Sequence, residues 1–522
     1  MFRAHGKDAE VGRAARQHAG RTRSAGPASR RPRERKLSGP ERDLVILGGG
    51  VTGLGIARLA ARAGWSVTVV ERDDLATGAS SATSHMLHGG LRYLEHGRFR
   101  LVREALSERA IVSRMAPTLA RPVRFLVPLR RGDRVGPLRL RAGLALYDLL
   151  AGRAGPSPHV MAGPREALAM EPGLEPSGLR GAGLYTDVVM DDVRLAIAVA
   201  RDAAAHGAEI LTRTDLVAAR PEPATGRQAV ELKGRVTGAV TSLKPTLIIN
   251  ATGAWSDRTR ATLLSMLRPG TNDPPRLLRP SRGTHLVYPS LTEGHGLLTL
   301  AGDGRVCFVI PFAGRSLVGT TEVETESPPT DAQRRPSPDE IRYLAREVAR
   351  VLPGAARAHP IAVYGGVRPL LAAEEKVGEA SREHRIVDDD ALLTIVGGKY
   401  TTFRVMARDL LALAARKLKR EPAPRDEPSA PLPPPTGDRV ADEELARHAV
   451  QHEWACSLED LIRRRSTRWL ADDRGLAAAR RMAPVLKGHL GWDATREREE
   501  IERFESAVRD ELMMLDRALS PH

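Results

Sequence analysis

The chain has 522 residues, of which 42% are hydrophobic, and its 80 lysines and arginines against 64 aspartates and glutamates give a net charge of +16. This length and apolar content exclude a chain that is disordered throughout, and two cysteines are too few for a disulfide-stabilised scaffold. The isolated Cys307 and Cys456 offer no metal site, and no run of about 18 uncharged apolar residues is present to span a bilayer.

The basic excess is concentrated at the amino terminus. Residues 1–42 contain twelve lysines and arginines against four acidic residues, a net of +8, in a stretch rich in Gly, Ser and Pro. Such a segment cannot bury enough apolar surface to fold, and it lacks the apolar core of a signal peptide. We expect a disordered basic arm: a solvated tail, the product of a start codon placed too early, or an arm that binds polyanions. The other +8 is spread thinly, so no specific nucleic-acid binding is expected.

Order is predicted to begin at Asp43 with a βαβ unit. Gly48 permits a tight turn, Gly50 lets backbone approach a pyrophosphate, and Gly53 lets the following helix pack closely on the strand. Glu71 follows Gly53 by 18 residues, where an acid accepts hydrogen bonds from ribose hydroxyls. The unit consists of a strand, a glycine turn, a small-residue helix and a second strand, over residues 43–47, 48–53, 54–63 and 66–70. This pattern predicts a dinucleotide site on a parallel α/β sheet.

Later segments predict further domains. The prolines of residues 421–437 indicate a linker, and the charged, helical pattern of residues 438–522 indicates a small helical domain. Residues 137–150 form a basic amphipathic pattern that fits either a helix on an anionic membrane surface or a core helix. The remaining predicted elements are a helix over 193–205, a strand over 246–250 and alternating strands over 283–321.

Two further glycine segments favour FAD over NAD. Ile249-Asn-Ala-Thr-Gly-Ala-Trp255 places a strand and a glycine turn about 200 residues after the first. Val396-Gly-Gly-Lys-Tyr-Thr-Thr-Phe403 is a third glycine element, of the kind that meets the isoalloxazine end of the cofactor. An NAD site does not need three separated contacts, so we expect FAD.

Seven motifs in order resemble the FAD-dependent glycerol-3-phosphate dehydrogenase family of DAO-type flavoproteins. The most specific is Ser80-Ser-Ala-Thr-Ser-His-Met-Leu-His-Gly-Gly-Leu-Arg-Tyr-Leu-Glu-His96. The others are Asp191-Asp-Val-Arg-Leu195, Ala251-Thr-Gly-Ala-Trp-Ser256, Gly283-Thr-His285, Gly319-Thr-Thr-Glu322, Gly366-Val-Arg-Pro-Leu370 and Gly397-Gly-Lys-Tyr-Thr-Thr402. The resemblance implies an FAD-binding, Rossmann-like α/β domain over 43–420, an antiparallel-sheet substrate domain and a carboxyl-terminal helical domain. Residues of about 110–190 and 280–365 would contribute to the substrate domain.

The resemblance also implies an activity: oxidation of sn-glycerol 3-phosphate to dihydroxyacetone phosphate, with hydride passing to FAD N5 and electrons to membrane quinone. Arginine and lysine suit a phosphate dianion, and alcohol oxidation needs a proton acceptor beside the carbinol oxygen. Arg368 would hold the alcohol oxygen, and the base would be His285 or His88. The substrate-binding candidates are Arg92, Tyr93, Arg368, Arg382 and Lys399, and the catalytic candidates are Arg368, His285, His88 and Tyr93. The cofactor-binding candidates are Gly48, Gly50, Gly53, Glu71, Ser80, Ser81, Gly89, Gly90, Gly253, Gly398, Lys399, Thr401 and Thr402.

Several alternatives stay open. His85 stands where the family usually has lysine, and the histidines of this segment superficially resemble a flavin attachment site, although the family fit favours non-covalent FAD. The acceptor could be O₂, or the substrate another hydroxy or amino acid; a non-enzymatic, flavin-bound nucleic-acid-binding protein is a remote alternative. We expect a cytoplasmic protein at the inner face of the membrane, with a homodimer left open. Arg463-Arg-Arg465 is expected on a solvated face, and Cys307 in the core.

Overall fold

The computed structural model describes residues 40–152, 155–270, 272–372, 383–421, 430–436 and 440–520, apart from the Arg92 side chain. The chain forms two large sheets, each covered by helices, and a helical unit at the carboxyl-terminal end. No helix in these ranges is long and apolar enough to cross a membrane. In the same ranges, no group of three or more His, Cys, Asp or Glu side chains is arranged to hold a metal ion.

The first sheet is the dinucleotide-binding unit. Its strands are β1 (Glu41–Leu47), β2 (Val67–Val70), β7 (Glu209–Leu211), β8 (Thr214–Glu222), β9 (Arg227–Gly234), β10 (Val240–Asn250), β17 (His384–Asp389) and β18 (Leu392–Gly397). Its helices are α1 (Val51–Arg62), α5 (Asp192–Ala205), α6 (Ser256–Leu267) and α9 (Phe403–Leu418). The main order is β17-β18-β10-β1-β2-β7, parallel from β18 to β7. The carboxyl ends of β1, β10 and β18 therefore meet at one edge, where open α/β sheets bind ligands.

The second sheet is largely antiparallel. Its strands are β3 (Met86–Leu87), β4 (Ala120–Arg130), β5 (Val160–Ala162), β6 (Leu179–Met190), β11 (Ser281–Pro289), β12 (Gly296–Leu300), β13 (Val306–Phe312), β14 (Arg315–Gly319), β15 (Val323–Glu324) and β16 (Ala362–Arg368). The helices of this unit are α2 (Phe99–Met115), α3 (Pro137–Ala151), α4 (Pro164–Met170), α7 (Asp331–Arg334) and α8 (Pro338–Val351). The order is β15-β11-β14-β13-β12-β4-β6-β3, with β16 also paired to β11 and β5 to β6. Cys307 is buried in this unit, as expected.

The carboxyl-terminal unit contains α10 (Asp442–His452), a π-helical turn (Asp460–Arg464), α11 (Leu476–Leu490) and α12 (Ala494–Leu519). Its own core joins α10, α11 and the first half of α12. The end of α12 packs elsewhere: Leu515 and Ala518 lie in one cluster with Ile341 and Leu344 of α8. The helical unit therefore has its own core and also packs against α8 of the second-sheet unit.

The fold class expected from the sequence is confirmed: an α/β FAD-binding type of domain, an antiparallel-sheet domain and a carboxyl-terminal helical domain. The predicted boundary between the basic arm and the α/β domain, after residue 42, is wrong. β1 begins at Glu41, and the buried Arg42 side chain contacts Thr68 and Glu209, so both residues belong to the sheet. The rest of the arm before residue 40 lies outside the described residues. Within the proline-rich segment, Leu432 is buried and its N–H donates to Met115 O at 2.8 Å.

Buried ion pairs hold the carboxyl-terminal unit on the first sheet. The Asp74 carboxylate accepts a hydrogen bond from Arg464 Nε at 2.6 Å and two from Arg465, at 2.6 and 2.8 Å. All three side chains are buried. The expectation of a solvated arginine face is therefore wrong for these two arginines, because a carboxylate from a distant part of the chain neutralises them.

Candidate active site

The glycine turn lies at the carboxyl ends of β1 and β10. Gly48 has φ +109°, and a Cβ there would lie 2.5 Å from Ala251 O, so only glycine fits between the two strands. A Cβ on Gly53 would lie 2.1 Å from Gly48 O, which explains the close approach of α1 to the turn. Gly50 is the N-cap of α1, and its nearest neighbour is Ser80 Oγ. The turn thus leaves a helix N-terminus facing the sheet edge, the arrangement that binds a pyrophosphate.

Glu71 and Ser80 shape this turn. One Glu71 carboxylate oxygen accepts the Gly49 N–H at 2.7 Å and the other accepts the Asp73 N–H at 2.9 Å. Burial raises the pKa of Glu71 above its ordinary value, and these two hydrogen bonds partly offset that effect. Ser80 Oγ accepts the Val51 N–H at 3.0 Å. Glu71 therefore fixes the backbone of the turn, a role that sequence reasoning did not assign to it.

The third glycine element follows β18. Gly397 and Gly398 both have positive φ, +76° and +80°, and a Cβ on Gly398 would lie 2.4 Å from Met406 Sδ in α9. Thr401 and Thr402 are buried in the short 3₁₀ turn that precedes α9. Gly253 lies in the corresponding turn after β10, with φ +59°. The three glycine elements thus end neighbouring parallel strands, as an extended dinucleotide requires.

Tyr93, in the segment that follows Ser84, contacts Lys399, which follows β18. Lys399 Nζ lies 3.9 Å from the centre of the Tyr93 ring, a cation–π contact. Gly90 has φ +81°, and a Cβ there would lie 2.2 Å from the Tyr93 ring. Gly89 and Gly90 thus let the chain turn beneath the tyrosine. Two of the predicted substrate-binding residues are therefore brought together by the structure.

Arg368 and His285 form a second group, on paired strands β16 and β11. Arg368 Nη2 donates to Thr320 Oγ1 at 2.6 Å and Nη1 donates to Thr321 O at 3.2 Å. His285 is buried, with Nε2 2.9 Å from Ser84 Oγ. Burial, and then the nearby Arg368 charge, lower the pKa of His285 well below its ordinary value. The imidazole is therefore neutral at neutral pH.

Tyr364 and Thr320 are site residues that sequence reasoning missed. Tyr364 stacks on His285 with ring centres 4.9 Å apart, and its hydroxyl donates to Thr83 O at 3.1 Å. Alternation along β16 could have placed it on the same face as Arg368, four residues on. Thr320 belongs to a motif that the sequence did show, but its contact with Arg368 depends on tertiary pairing.

The structure describes some of the remaining candidate residues but not all of them. His88 is half-buried in the segment between the two groups, whereas Arg382 and the Arg92 side chain lie outside the described residues. Ser81 Oγ donates to Gly78 O at 3.2 Å. His85 is buried at φ +50°, with Nδ1 3.1 Å from Met190 O and its ring 4.3 Å from Phe312.

The chemistry of this edge fits FAD, because three glycine turns and a helix N-terminus present backbone where side chains would obstruct a dinucleotide. The sequence profile of the FAD dependent oxidoreductase family matches residues 43–400. The chain belongs to this family. Residues 407–497 match the profile described as the C-terminal domain of alpha-glycerophosphate oxidase. FAD is accordingly its cofactor.

The similar proteins include named dehydrogenases. Glycerol-3-phosphate dehydrogenase 2 of Mycobacterium tuberculosis is 38% identical over 411 residues, which cover 76% of this chain and 67% of that protein. Glycerol-3-phosphate dehydrogenase of Mycobacterium leprae is 33% identical over 553 residues, covering 94% and 92%. The glycerol-3-phosphate dehydrogenase from Bacillus halodurans complexed with FAD has a similar structure, with a TM-score of 0.69 at 22% identity and coverage of 93% and 97%. The chain is thus a member of the FAD-dependent glycerol-3-phosphate dehydrogenase group.

Proposed function

We propose that this protein oxidises sn-glycerol 3-phosphate to dihydroxyacetone phosphate and passes the electrons to membrane quinone. The observation that carries the proposal is the buried His285 beside the Arg368 guanidinium, together with Lys399 Nζ on the ring of Tyr93, which lies in the segment that follows Ser84. A neutral imidazole accepts a proton, and two cations suit a phosphorylated alcohol. The names of the relatives at 33% and 38% identity support the same substrate.

The reaction removes a hydride from C2 of the substrate and a proton from its hydroxyl. The glycine turn at Gly48, Gly50 and Gly53 would hold the pyrophosphate of a non-covalently bound FAD, which would supply the hydride acceptor. Arg368 binds the C2 oxygen and stabilises the negative charge that develops as the hydroxyl loses its proton. His285 takes that proton, with Ser84 orienting Nε2. Lys399 binds the phosphate, with Arg92 and Arg382 as the other candidates for this role.

Anaerobic titration of the purified holoprotein tests this substrate. We expect glycerol 3-phosphate to bleach the visible flavin absorbance, because the cofactor accepts the hydride, and glycerol or inorganic phosphate alone to leave it unchanged. Bound FAD that stays oxidised at saturating glycerol 3-phosphate would overturn the substrate assignment. Other hydroxy acids and amino acids in the same assay test the alternative substrates.

A second candidate differs only in the electron acceptor. The match of residues 407–497 to a domain named after alpha-glycerophosphate oxidase favours reduction of O₂ to H₂O₂. Reoxidation of the substrate-reduced enzyme distinguishes the two acceptors. Fast reoxidation by a quinone analogue with little peroxide supports the dehydrogenase, whereas one equivalent of peroxide in air supports the oxidase.

The proposed membrane contact is the outer face of α3. Leu140, Leu144 and Tyr147 face the core, whereas the opposite stripe of α3 is both apolar and exposed. Leu138 is 84% and Leu149 76% exposed, and they share the stripe with two alanines. Exposed arginines flank the stripe at positions 131, 134, 139 and 141. Apolar side chains ringed by cations fit an anionic lipid surface, so we propose peripheral binding at the cytoplasmic face of the membrane.

Charge introduced on that stripe should weaken membrane binding. We expect the double substitution Leu138→Glu and Leu149→Glu to lower affinity for phosphatidylglycerol vesicles by about tenfold or more. It removes the apolar side chains that would enter the bilayer, and the new carboxylates are repelled by the anionic lipid. Vesicle flotation measures the effect. The matched control replaces Val236, in the turn between β9 and β10, and Val240, in β10, by glutamate, because these valines are 77% and 61% exposed. Equal losses in the two double variants would contradict the proposed surface.

A further inference from the structure

The hydroxyl of Tyr147 joins α3 to the segment that carries the candidate substrate-binding residues. Tyr147 Oη accepts the Gly89 N–H at 2.8 Å. The same hydroxyl donates to the Asp187 carboxylate, whose oxygens lie 3.0 and 3.1 Å away. Burial raises the pKa of Tyr147 well above its ordinary value, so the phenol keeps the proton that it donates. A hydroxyl can accept and donate at once, and the contact uses both abilities.

Asp187, which accepts the hydrogen bond from Tyr147, is itself paired with a buried arginine. Asp187 in β6 and Arg109 in α2 are both buried, and Arg109 Nη1 donates to Asp187 Oδ1 at 2.5 Å. Arg109 Nη1 also donates to Thr186 O at 3.1 Å. Separating a buried ion pair is costly, so Asp187 stays paired with Arg109. Tyr147 therefore holds the Gly89 amide to a fixed point in the core.

Gly89, whose N–H donates to Tyr147, adjoins the candidate site. A Cβ on Gly89 would lie 2.8 Å from Tyr147 Oη, so the backbone rests against the phenol. The next residue, Gly90, lies beneath the Tyr93 ring, and the Tyr93 N–H donates to Gly90 O at 2.9 Å. Lys399 Nζ lies on the same ring. Displacement of the Gly89 amide would thus move the aromatic ring on which the lysine rests.

We infer that Tyr147 is a positioning residue for substrate binding, acting through the Gly89–Gly90 turn on Tyr93 and Lys399. This inference rests on the proposed function, in which Lys399 binds the substrate phosphate. Without the hydroxyl, the buried Gly89 amide loses its acceptor and Asp187 loses a donor, and the turn shifts to recover them. Because α3 also carries the proposed membrane surface on its outer face, one helix links the membrane contact to the substrate pocket.

The variant Tyr147→Phe tests the inference in the holoprotein. We expect KM for glycerol 3-phosphate to rise roughly ten- to a hundredfold, since small displacements of positioning groups have effects of this size. We expect kcat to change much less and the flavin content and flavin reduction potential to match the wild type. Tyr343→Phe is the matched control, because that tyrosine of α8 donates to the exposed Asp303 in the turn between β12 and β13, and its loss should leave KM unchanged.

The outcomes separate the two proposals. A wild-type flavin that glycerol 3-phosphate does not reduce overturns the proposed function. A wild type that is reduced, together with an unchanged KM in Tyr147→Phe, overturns the positioning role alone. A lower melting temperature with unchanged KM in the folded fraction also overturns it. If Tyr147→Phe yields no holoprotein, Arg109→Lys keeps the hydroxyl and the charge but loosens Asp187, and the same rise in KM is expected.

Discussion

Replacing Arg368 by alanine should slow flavin reduction by glycerol 3-phosphate severely while FAD stays bound. The guanidinium is held by Thr320 and Thr321 beside the neutral His285, so it is fixed in place before substrate arrives. Preorganised donors at a developing oxyanion contribute more to the rate than to ground-state binding. We expect the rate constant for flavin reduction to fall by about three orders of magnitude. Anaerobic stopped-flow absorbance measures it directly.

Two companion variants make this result specific. Arg368→Lys keeps a cation but loses the planar fork that bonds both threonines, and we expect an intermediate rate. Arg342→Ala removes a half-buried arginine of α8 that pairs with the exposed Asp339, and the flavin of this variant should be reduced at the wild-type rate. Near-normal reduction in Arg368→Ala would show that the alcohol oxygen is bound elsewhere. Loss of FAD from that variant would instead assign Arg368 to the cofactor site.

Local signals were sufficient to predict the glycine turn. A strand, three spaced glycines, a small-residue helix and Glu71 all lie within about 30 residues, the scale of one βαβ unit. The structure places Gly48, Gly50 and Gly53 at the sheet edge as that pattern requires. The contacts of Glu71 with the Gly49 and Asp73 amides were not predictable, because they depend on how the turn folds back over the carboxylate.

Contacts between distant strands left no local signal. The family resemblance points to Arg368 and His285, but the register of β16 on β11 is what brings them together beside Thr320. The arginines at 464 and 465 follow a helix-like charged pattern, which usually indicates a solvated face. Their partner Asp74 lies about 390 residues earlier, so only the folded chain reveals that they are buried.

Replacing Asp74 should lower the stability of the protein substantially. Replacing Asp74 by asparagine removes the carboxylate that accepts hydrogen bonds from Arg464 and Arg465, and Asp74 is only 1% exposed. Two buried guanidinium groups would then lose the counter-charge that they share. Breaking a buried pair on one side costs about 3–5 kcal/mol, because the remaining charge stays out of water. We expect the free energy of unfolding in urea, followed by circular dichroism, to fall by about that amount.

The matched control for this variant is Asp472→Asn. Asp472 also pairs with an arginine, Arg315 at 2.7 Å, but its side chain is 88% exposed. Water solvates the Asp472 carboxylate, so loss of this pair should leave the unfolding midpoint nearly unchanged. Equal midpoints for Asp74→Asn and the wild type would mean that Asp460, which also binds Arg464, suffices as the counter-charge. A large fall confined to Asp74→Asn would mean that this one carboxylate, in the segment after β2, joins the carboxyl-terminal helices to the cofactor-binding sheet.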